Sequence, residues 1–292
     1  MEVAEKANRL YTLDSLRGFL MLLVVWGHLM EILPGMGAQH PVYKVIYSFH
    51  MPAFLFLSGF LGKFRWKTIL KTVAVYLVFQ VLYQLFDHMI LKSAPLEAFR
   101  PGFKTSYWLL WYLLVLCYYY LSIALLQRVP KPYQPLALLA AVGAALLVGY
   151  IPSIGYPFSL SRAFFFYPYF VAGYYLGQNK TRLLERFRQM PAPGKRLYCI
   201  VTALSGVLAA VLCLHFKFSV IMLYGSYPYR PGYTPWTRIQ MMGIAALWIH
   251  FFFSLALLFP KKRVAVLEAI GRHTLPIYLA HGFVIKWLGQ YV

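Results

Sequence analysis

One apolar segment near the start of the chain carries two ionisable residues and constrains everything that follows. The segment, residues 13–33, reads LDSLRGFLMLLVVWGHLMEIL and includes Arg17 and His28. An apolar stretch of about 20 residues has the length of a helix that crosses a bilayer. The spacing of Arg17 and His28 places them within roughly 20° of one helix face and about 16 Å apart along its axis. Charged groups in lipid are costly unless they face a polar cavity or a partner, so the pair predicts an intramembrane site.

Each of these two residues also has a structural interpretation. Arg17 lies near the start of the segment and can extend its guanidinium to the lipid head groups. His28 can donate a hydrogen bond to a neighbouring helix. Their shared helix face favours the functional interpretation.

The composition indicates a membrane protein with many spans rather than a soluble domain. Of 292 residues, 61% are hydrophobic and 8 are acidic, and the net charge is +20. Because the basic residues are scattered between apolar runs, membrane topology explains the charge better than nucleic-acid binding, and no nucleic-acid partner is expected. Cys117, Cys199 and Cys213 show no paired or metal-ligand spacing, so we expect neither a disulfide framework nor a metal site.

We predict an all-α bundle of about nine transmembrane helices that forms a single integral-membrane domain over residues 1–292. The predicted spans cover residues 13–33, 44–62, 69–91, 106–127, 134–151, 161–178, 198–215, 237–259 and 272–290. With the N-terminus in the cytoplasm, the inner segments hold roughly twice as many Lys and Arg residues as the outer ones. A tenth span within 216–236 or 150–170 is the alternative and would move the C-terminus inside. The expected location is the cell membrane, with the first span retained as a signal anchor.

Several motifs along the chain resemble those of a known family. The Arg-x10-His pair in LDSLRGFLMLLVVWGHL is followed by FHMPAFLFLSGFLG, and looser patterns follow at 107–116, 161–177 and 270–285. Together they resemble the membrane acyltransferase-3 family, in its small branch similar to fucose 4-O-acetylases. Many relatives have ten spans and an Arg-x-x-Arg element after the second helix, which the sequence KFRWKTILK matches only approximately. Some larger relatives carry an esterase-like domain after the membrane part, and none is expected here.

The resemblance implies transfer of an acyl group, usually acetyl, from cytosolic acyl-CoA to a hydroxyl of a sugar or glycan. An alcohol that attacks a thioester needs a base near neutral pH, and we assign that role to His28. Arg17, with Lys63, Arg65 or Lys67, is expected to bind the phosphates of acetyl-CoA, although anchoring at the inner membrane surface also explains the last three. The distance of about 16 Å from Arg17 to His28 along the helix is comparable to a pantetheine arm.

The tetrahedral oxyanion of such a reaction needs a hydrogen-bond donor, and three residues are unranked alternatives for it: His50, Trp111 and Tyr278. Glu31 follows His28 at helical spacing and would orient its imidazole, unless it is a glutamate at head-group level.

Two further residues are expected to contact the acceptor. His281 matches a histidine common in the family and would hydrogen-bond the site from across the bundle, and Arg162 begins the sixth predicted span; each also has a structural alternative. Asp87 and His88 are interpreted as a polar pair near the outer end of the third span.

An alternative from another class is a transporter or flippase for a polar solute, which would also use an Arg and a His inside the membrane. The absence of internal repeats weighs against it. A non-catalytic sensor or biosynthetic partner that retains the fold is a third alternative. The expected partners are acyl-CoA, a sugar or glycan acceptor and membrane lipids. Whether the chain forms a homodimer is left open. No permanently bound cofactor is expected.

Overall fold

The computed structural model describes residues 11–95, 98–99, 102–259 and 264–292. Within these ranges the chain is helical and contains no strand. The α-helices are α1 Tyr11–Ile32, α2 Pro41–Phe60, α3 Trp66–Leu85, α4 Trp111–Leu126, α5 Gln134–Leu147, α6 Leu160–Gln178, α7 Lys180–Gln189, α8 Ala192–His215, α9 Pro235–Leu258, α10 Ala265–Arg272 and α11 Thr274–Leu288. A π-helical turn, Phe86–Ile90, extends α3, and a 3-10 turn, Trp108–Leu110, precedes α4. The predicted cytoplasmic N-terminus falls on residues 1–10, outside the described residues.

Six helical segments of the described chain are long and apolar enough to cross a membrane. They are Tyr11–Ile32, Trp66–Ile90, Trp108–Leu126, Lys131–Tyr150, Ala192–His215 and Pro235–Leu258. The other three predicted spans correspond to α2, α6 and α11, which do form helices but do not meet both criteria. A helix packed inside a bundle can be shorter and more polar than one that faces lipid, because protein replaces lipid around it. The count of about nine spans remains a prediction.

The two segments in which a tenth span was considered contain no long additional helix. Residues 216–236 hold a 3-10 turn, Val220–Tyr224. Residues 150–159 hold the short turns Pro152–Ile154 and Pro157–Ser159, and α6 begins directly after them. The two connections contact each other, since the rings of Tyr156 and Tyr227 lie 6.0 Å apart between centroids.

Helices α2 and α6 form the centre of the bundle and pack closely along their length. A Cβ atom at Gly59 would overlap the Phe170 carbonyl, and one at Gly173 would overlap the Phe56 carbonyl. Small residues at such a crossing allow two backbones to approach. This close contact fixes α2, which carries His50 and Met51.

Helix α1 packs along both α10 and α11. Gly18 and Gly271 meet where α1 crosses α10, and a side chain at either position would overlap the backbone of the other helix. On α11, Thr274, Tyr278 and His281 follow one another at i, i+4 and i+7 and so share one face. That face meets α1, because Thr274 contacts Arg17 and His281 contacts His28.

A fully buried arginine holds the long connection 216–236 in place. Arg238 is 0% exposed. Its Nε donates to the Tyr233 hydroxyl at 2.9 Å, its Nη1 to the Ala145 carbonyl at 2.5 Å and its Nη2 to the Tyr227 carbonyl at 3.2 Å. The guanidinium thereby ties the connection to the end of α5, and its charge is solvated by these carbonyl and ring partners.

Candidate active site

Two cavities inside the bundle share part of their walls. The larger has a volume of about 590 Å³ and the smaller about 190 Å³. Val24, Met51 and Tyr278 line both of them. Arg17 lines the larger cavity and His28 the smaller one. The two ionisable residues of the first span thus face adjoining cavities, and we call the three residues that line both cavities the neck.

The larger cavity combines cations and hydroxyls with an apolar wall. Arg17, Lys67 and Lys71 supply the cations. Arg17 Nη2 donates to the Thr274 hydroxyl at 3.1 Å, its Nη1 lies 4.0 Å from Asp14, and its side chain is 34% exposed. These contacts hold the guanidinium at the cavity wall while leaving part of it accessible. The arrangement suits a ligand with a negatively charged end and a mostly apolar remainder.

Two of the cations predicted beside Arg17 lie elsewhere. Lys63 and Arg65 are exposed and do not line the larger cavity, whereas Lys67 does. The reason is that α3 begins at Trp66, so the residues before it belong to an extended connection. Lys71, one helical turn after Lys67, takes the place that the sequence interpretation gave to Lys63 and Arg65.

In the smaller cavity, His28 and His281 form a hydrogen-bonded pair with a defined tautomer. His281 Nδ1 lies 3.1 Å from the Ile277 carbonyl, which can only accept, so His281 Nδ1 carries the hydrogen. In neutral His281, Nε2 is therefore an acceptor, and His28 Nδ1 donates to it at 2.9 Å. His28 Nε2 consequently keeps its lone pair. An imidazole with this tautomer can take a proton from a hydroxyl in the cavity.

His50 lies on another side of the same cavity and is buried. Its Nδ1 lies 2.8 Å from the Ile46 carbonyl, one turn earlier on α2, and must donate to it. Neutral His50 therefore presents an unprotonated Nε2 and can donate from that atom only when it is protonated.

Glu31 also lines the smaller cavity, but its contacts differ from those expected. Its carboxylate accepts hydrogen bonds from the hydroxyls of Tyr43, at 2.9 Å, and Tyr47. Tyr224 in turn donates to the Tyr43 hydroxyl at 2.8 Å. Burial raises the pKa of the Tyr224 hydroxyl above its ordinary value, so it stays protonated and able to donate. The orienting contact on His28 Nδ1, which we expected from Glu31, is made by His281 instead.

Arg162 and Trp111 form a cationic and aromatic wall of this cavity. The Arg162 guanidinium lies 4.9 Å from the Trp111 ring centre and 5.6 Å from that of Tyr156. Its Nε donates to the Tyr224 carbonyl at 3.2 Å. Trp111 stacks on Phe166 with a centroid distance of 5.4 Å. Flat aromatic faces beside a fixed hydrogen-bond donor suit a ring that carries hydroxyl groups.

Tyr278 occupies the neck, where its hydroxyl is already used. That hydroxyl donates to the Leu109 carbonyl. A tyrosine has a single hydroxyl hydrogen, so this arrangement leaves none for an oxyanion in the cavity. Of the three unranked donors, Tyr278 thus acts as a wall of the neck in this state.

Sequence reasoning missed several residues of the smaller cavity and its surroundings, and it gave Asp87 the wrong partner. Trp108 and Tyr224 line the cavity, and Tyr43 bonds to Glu31. Aromatic content alone gave no way to separate them from an ordinary interfacial belt. Asp87 does not form a local pair with His88: it binds Lys286 at 2.6 Å, and His88 Nδ1 donates to the Ala94 carbonyl at 3.0 Å.

Comparison with known proteins gives a family and two relatives. The chain matches the family model described as an acyltransferase domain over residues 10–292. It is similar to the nodulation protein NolL of Sinorhizobium fredii, with 28% identity over 194 residues that make up 59% of this chain and 50% of that protein. The nodulation protein NolL of Mesorhizobium japonicum is 31% identical over 123 residues, which make up 36% of this chain and 33% of that protein. The matches thus cover half or less of the relatives' length, and no solved structure matches the chain.

Proposed function

This chain belongs to the acyltransferase family whose domain model it matches, and on that premise we propose that it transfers an acetyl group from acetyl-CoA to a hydroxyl of a sugar or glycan. The donor occupies the larger cavity from the cytosolic side. The acceptor occupies the smaller cavity, and the acetyl group crosses at the neck of Val24, Met51 and Tyr278.

One observation carries this proposal: the cavity that contains Arg17 and the cavity that contains His28 adjoin. A thioester held at the neck would be close to both a cationic anchor for the donor and a base for the acceptor. Holding two reactants in one geometry removes much of the entropic barrier of a bimolecular reaction. Family membership supports acyl transfer over the transporter alternative, which needs no base beside a neck.

In the proposed reaction, His28 Nε2 takes the proton of the acceptor hydroxyl while the hydroxyl oxygen attacks the thioester carbonyl. A tetrahedral oxyanion forms as the carbonyl double bond opens. It collapses with loss of the thiolate of CoA, to which the His28 imidazolium returns the proton. His281 accepts from His28 Nδ1 throughout and stabilises the imidazolium, as an orienting partner does in other acyl-transfer sites.

The oxyanion donors that fit this geometry are Trp111 and Arg162, which both line the smaller cavity, whereas neutral His50 gives its one ring hydrogen to the Ile46 carbonyl. Tyr278 is left out because its hydroxyl hydrogen is engaged. A guanidinium or an indole N–H near the carbonyl would stabilise charge that develops only in the transition state.

The size of the smaller cavity supports a small acceptor group. At about 190 Å³ it lies below the range of about 300–1,000 Å³ of pockets that enclose drug-sized ligands. It would therefore admit one sugar ring, with any further residues of a glycan outside. Glu31 and Arg162 would bind hydroxyls of that ring, and Trp111 would stack against its face.

On the donor side, Arg17, Lys67 and Lys71 would bind the phosphates of acetyl-CoA. We extend the proposal to topology: the N-terminus lies in the cytoplasm, the protein resides in the cell membrane, and the larger cavity opens to the cytosol. A reporter fused after Val292 reads extracytoplasmic if the number of spans is odd, and a cytoplasmic signal contradicts that topology.

The experiment is to incubate the purified protein with labelled acetyl-CoA and a panel of sugars, comparing wild type with His28→Ala and Arg17→Ala. We expect His28→Ala to abolish transfer while acetyl-CoA still binds, and Arg17→Ala to weaken acetyl-CoA binding. Equal turnover by all three proteins would contradict the mechanism. Lys63→Ala is the matched control, since Lys63 is a nearby cation that does not line the larger cavity.

A further inference from the structure

Trp108 contacts His28 from a strained backbone conformation. The two rings lie 4.9 Å apart between centroids, and Trp108 lines the smaller cavity. Its backbone φ is 28°, in the left-handed half of conformational space. A non-glycine residue adopts such a conformation at an energetic cost, and it persists only where its surroundings hold it.

The backbone on both sides of Trp108 is held by side chains from other helices. Gln80, which is 0% exposed, accepts from the Tyr107 backbone N–H at 2.6 Å and donates to the Thr105 carbonyl at 2.9 Å. On the other side of Trp108, the Leu109 carbonyl accepts from Tyr278. The residues before and after Trp108 are thus fixed to α3 and α11.

A charged cluster holds the side chain of Tyr107 as well. Lys286 Nζ lies 2.6 Å from Asp87 Oδ1 and 2.9 Å from Oδ2. The Tyr107 hydroxyl donates to Asp87 and accepts from Lys286. We call Asp87, Tyr107 and Lys286 the clamp. It joins the π-helical turn that extends α3 to α11 and to the segment before α4.

The clamp is linked to both neighbours of the His28 ring. Tyr107 immediately precedes Trp108, and Lys286 lies on α11 five residues after His281. His281 packs against His28 with nearly parallel rings, at a centroid distance of 5.2 Å and an angle of 11°. His28 therefore contacts two rings, one on the residue that follows Tyr107 and the other on the helix that carries Lys286.

We propose that Asp87, Tyr107 and Lys286 are positioning residues for the acyl transfer, because they press Trp108 against His28 and fix the helix that carries His281. The inference rests on the proposed function of His28 as the base. None of the three clamp residues touches the reacting atoms. Their role is to keep the His28 ring in the orientation in which Nδ1 faces His281 and Nε2 faces the acceptor.

The test compares two variants with the same chemical change. Tyr107→Phe removes the clamp hydroxyl and keeps the ring. Tyr198→Phe removes a hydroxyl that bonds Ser254 at 2.7 Å between two other helices and lines neither cavity of the proposed site. A double variant, Asp87→Leu with Lys286→Met, replaces the ion pair by apolar side chains, which avoids leaving one buried charge unpaired.

Two readouts are measured on the detergent-solubilised full chain. The first is kcat and KM of labelled acetyl transfer. The second is the rate at which diethylpyrocarbonate modifies His28, followed by mass spectrometry, which requires no activity. We expect Tyr107→Phe and the double variant to lower kcat about tenfold, with KM for acetyl-CoA changed less than about twofold. We also expect His28 modification to be several times faster in both, while Tyr198→Phe matches wild type and all variants keep the thermal midpoint of wild type within a few degrees.

The outcomes separate the clamp from the proposed function. Unchanged His28 modification in Tyr107→Phe and in the double variant overturns the clamp, whatever the activity. Equal effects of Tyr107→Phe and Tyr198→Phe overturn it too, since they would reflect general loosening of the bundle. If wild type transfers no acetyl group to any acceptor, the proposed function fails, and the modification rates still decide whether the clamp orders His28.

Discussion

The hydrogen bond from His28 to His281 allows a quantitative prediction. In His281→Leu, the His28 Nδ1–H group loses the acceptor that lies 2.9 Å away and is left inside the bundle without a hydrogen-bond partner from His281. An unsatisfied buried donor costs about 1–3 kcal/mol. The imidazolium that forms during transfer loses the same partner. At about 1.4 kcal/mol for each factor of ten, kcat is expected to fall about 5- to 150-fold.

His281→Gln is the matched control because an amide oxygen can accept the same hydrogen bond. We expect His281→Gln to retain more of the wild-type kcat than His281→Leu, with little change in KM for acetyl-CoA in either, since Arg17 and Lys67 lie in the other cavity. The assay is initial-rate acetyl transfer to the best acceptor of the panel, with the thermal midpoint of each variant recorded.

The reasoning is refuted if His281→Leu transfers acetyl groups as fast as wild type. It is also refuted if His281→Leu and His281→Gln lose the same factor in kcat at equal thermal stability, because the loss would then not depend on an acceptor for Nδ1.

Three further predictions concern the neck and the packing. Met51→Ala widens the neck, so the ratio of butyryl to acetyl transfer should rise about tenfold, as expected for one or two methylenes in an apolar pocket. An unchanged ratio would show that other residues than Met51 set the acyl selectivity. Gly173→Leu should lower the free energy of unfolding by about 1–3 kcal/mol, because the new side chain meets the Phe56 backbone. Gly143→Leu serves as the control in the same thermal-shift assay, because the space around Gly143 is open. Arg238→Met should lower the free energy of unfolding by about 3 kcal/mol, because two carbonyls lose their hydrogen-bond donor. A thermal midpoint equal to that of wild type would show that the connection 216–236 is held by other contacts.

The part of the site that could be predicted from sequence is the part encoded within single helices. Arg17 and His28 share a helix face by spacing alone, and each now lines one of two adjoining cavities. Thr274, Tyr278 and His281 are similarly spaced on α11. Periodicity predicts a common face but not its partner, which is why His281 was expected at the site without being paired with His28, and Glu31 was expected to orient the imidazole.

The number of spans was harder to predict for a related physical reason. Hydropathy reports how a helix fits into lipid, whereas α2 and α6 are mostly surrounded by other helices. Buried helices can carry polar residues such as His50 on α2 and Arg162 on α6, because neighbouring groups form hydrogen bonds with them. The hydropathy of such a helix is therefore low even where the helix lies inside the bundle. Apolar content therefore predicted an all-helical membrane protein correctly and left the count of spans open.

Contacts between distant parts of the chain were outside the reach of sequence reasoning, and they determine how His28 is held. Asp87 and Lys286 are 199 residues apart, and each alone resembles a charge at the membrane surface. Their pairing depends on α3 and α11 ending at the same depth beside Tyr107. A buried ion pair gives little net stability, because desolvation of both charges offsets their attraction. Its position beside a strained tryptophan is therefore better explained by the orientation of His28 than by the stability of the bundle, and the double variant separates these two roles by removing both charges at once.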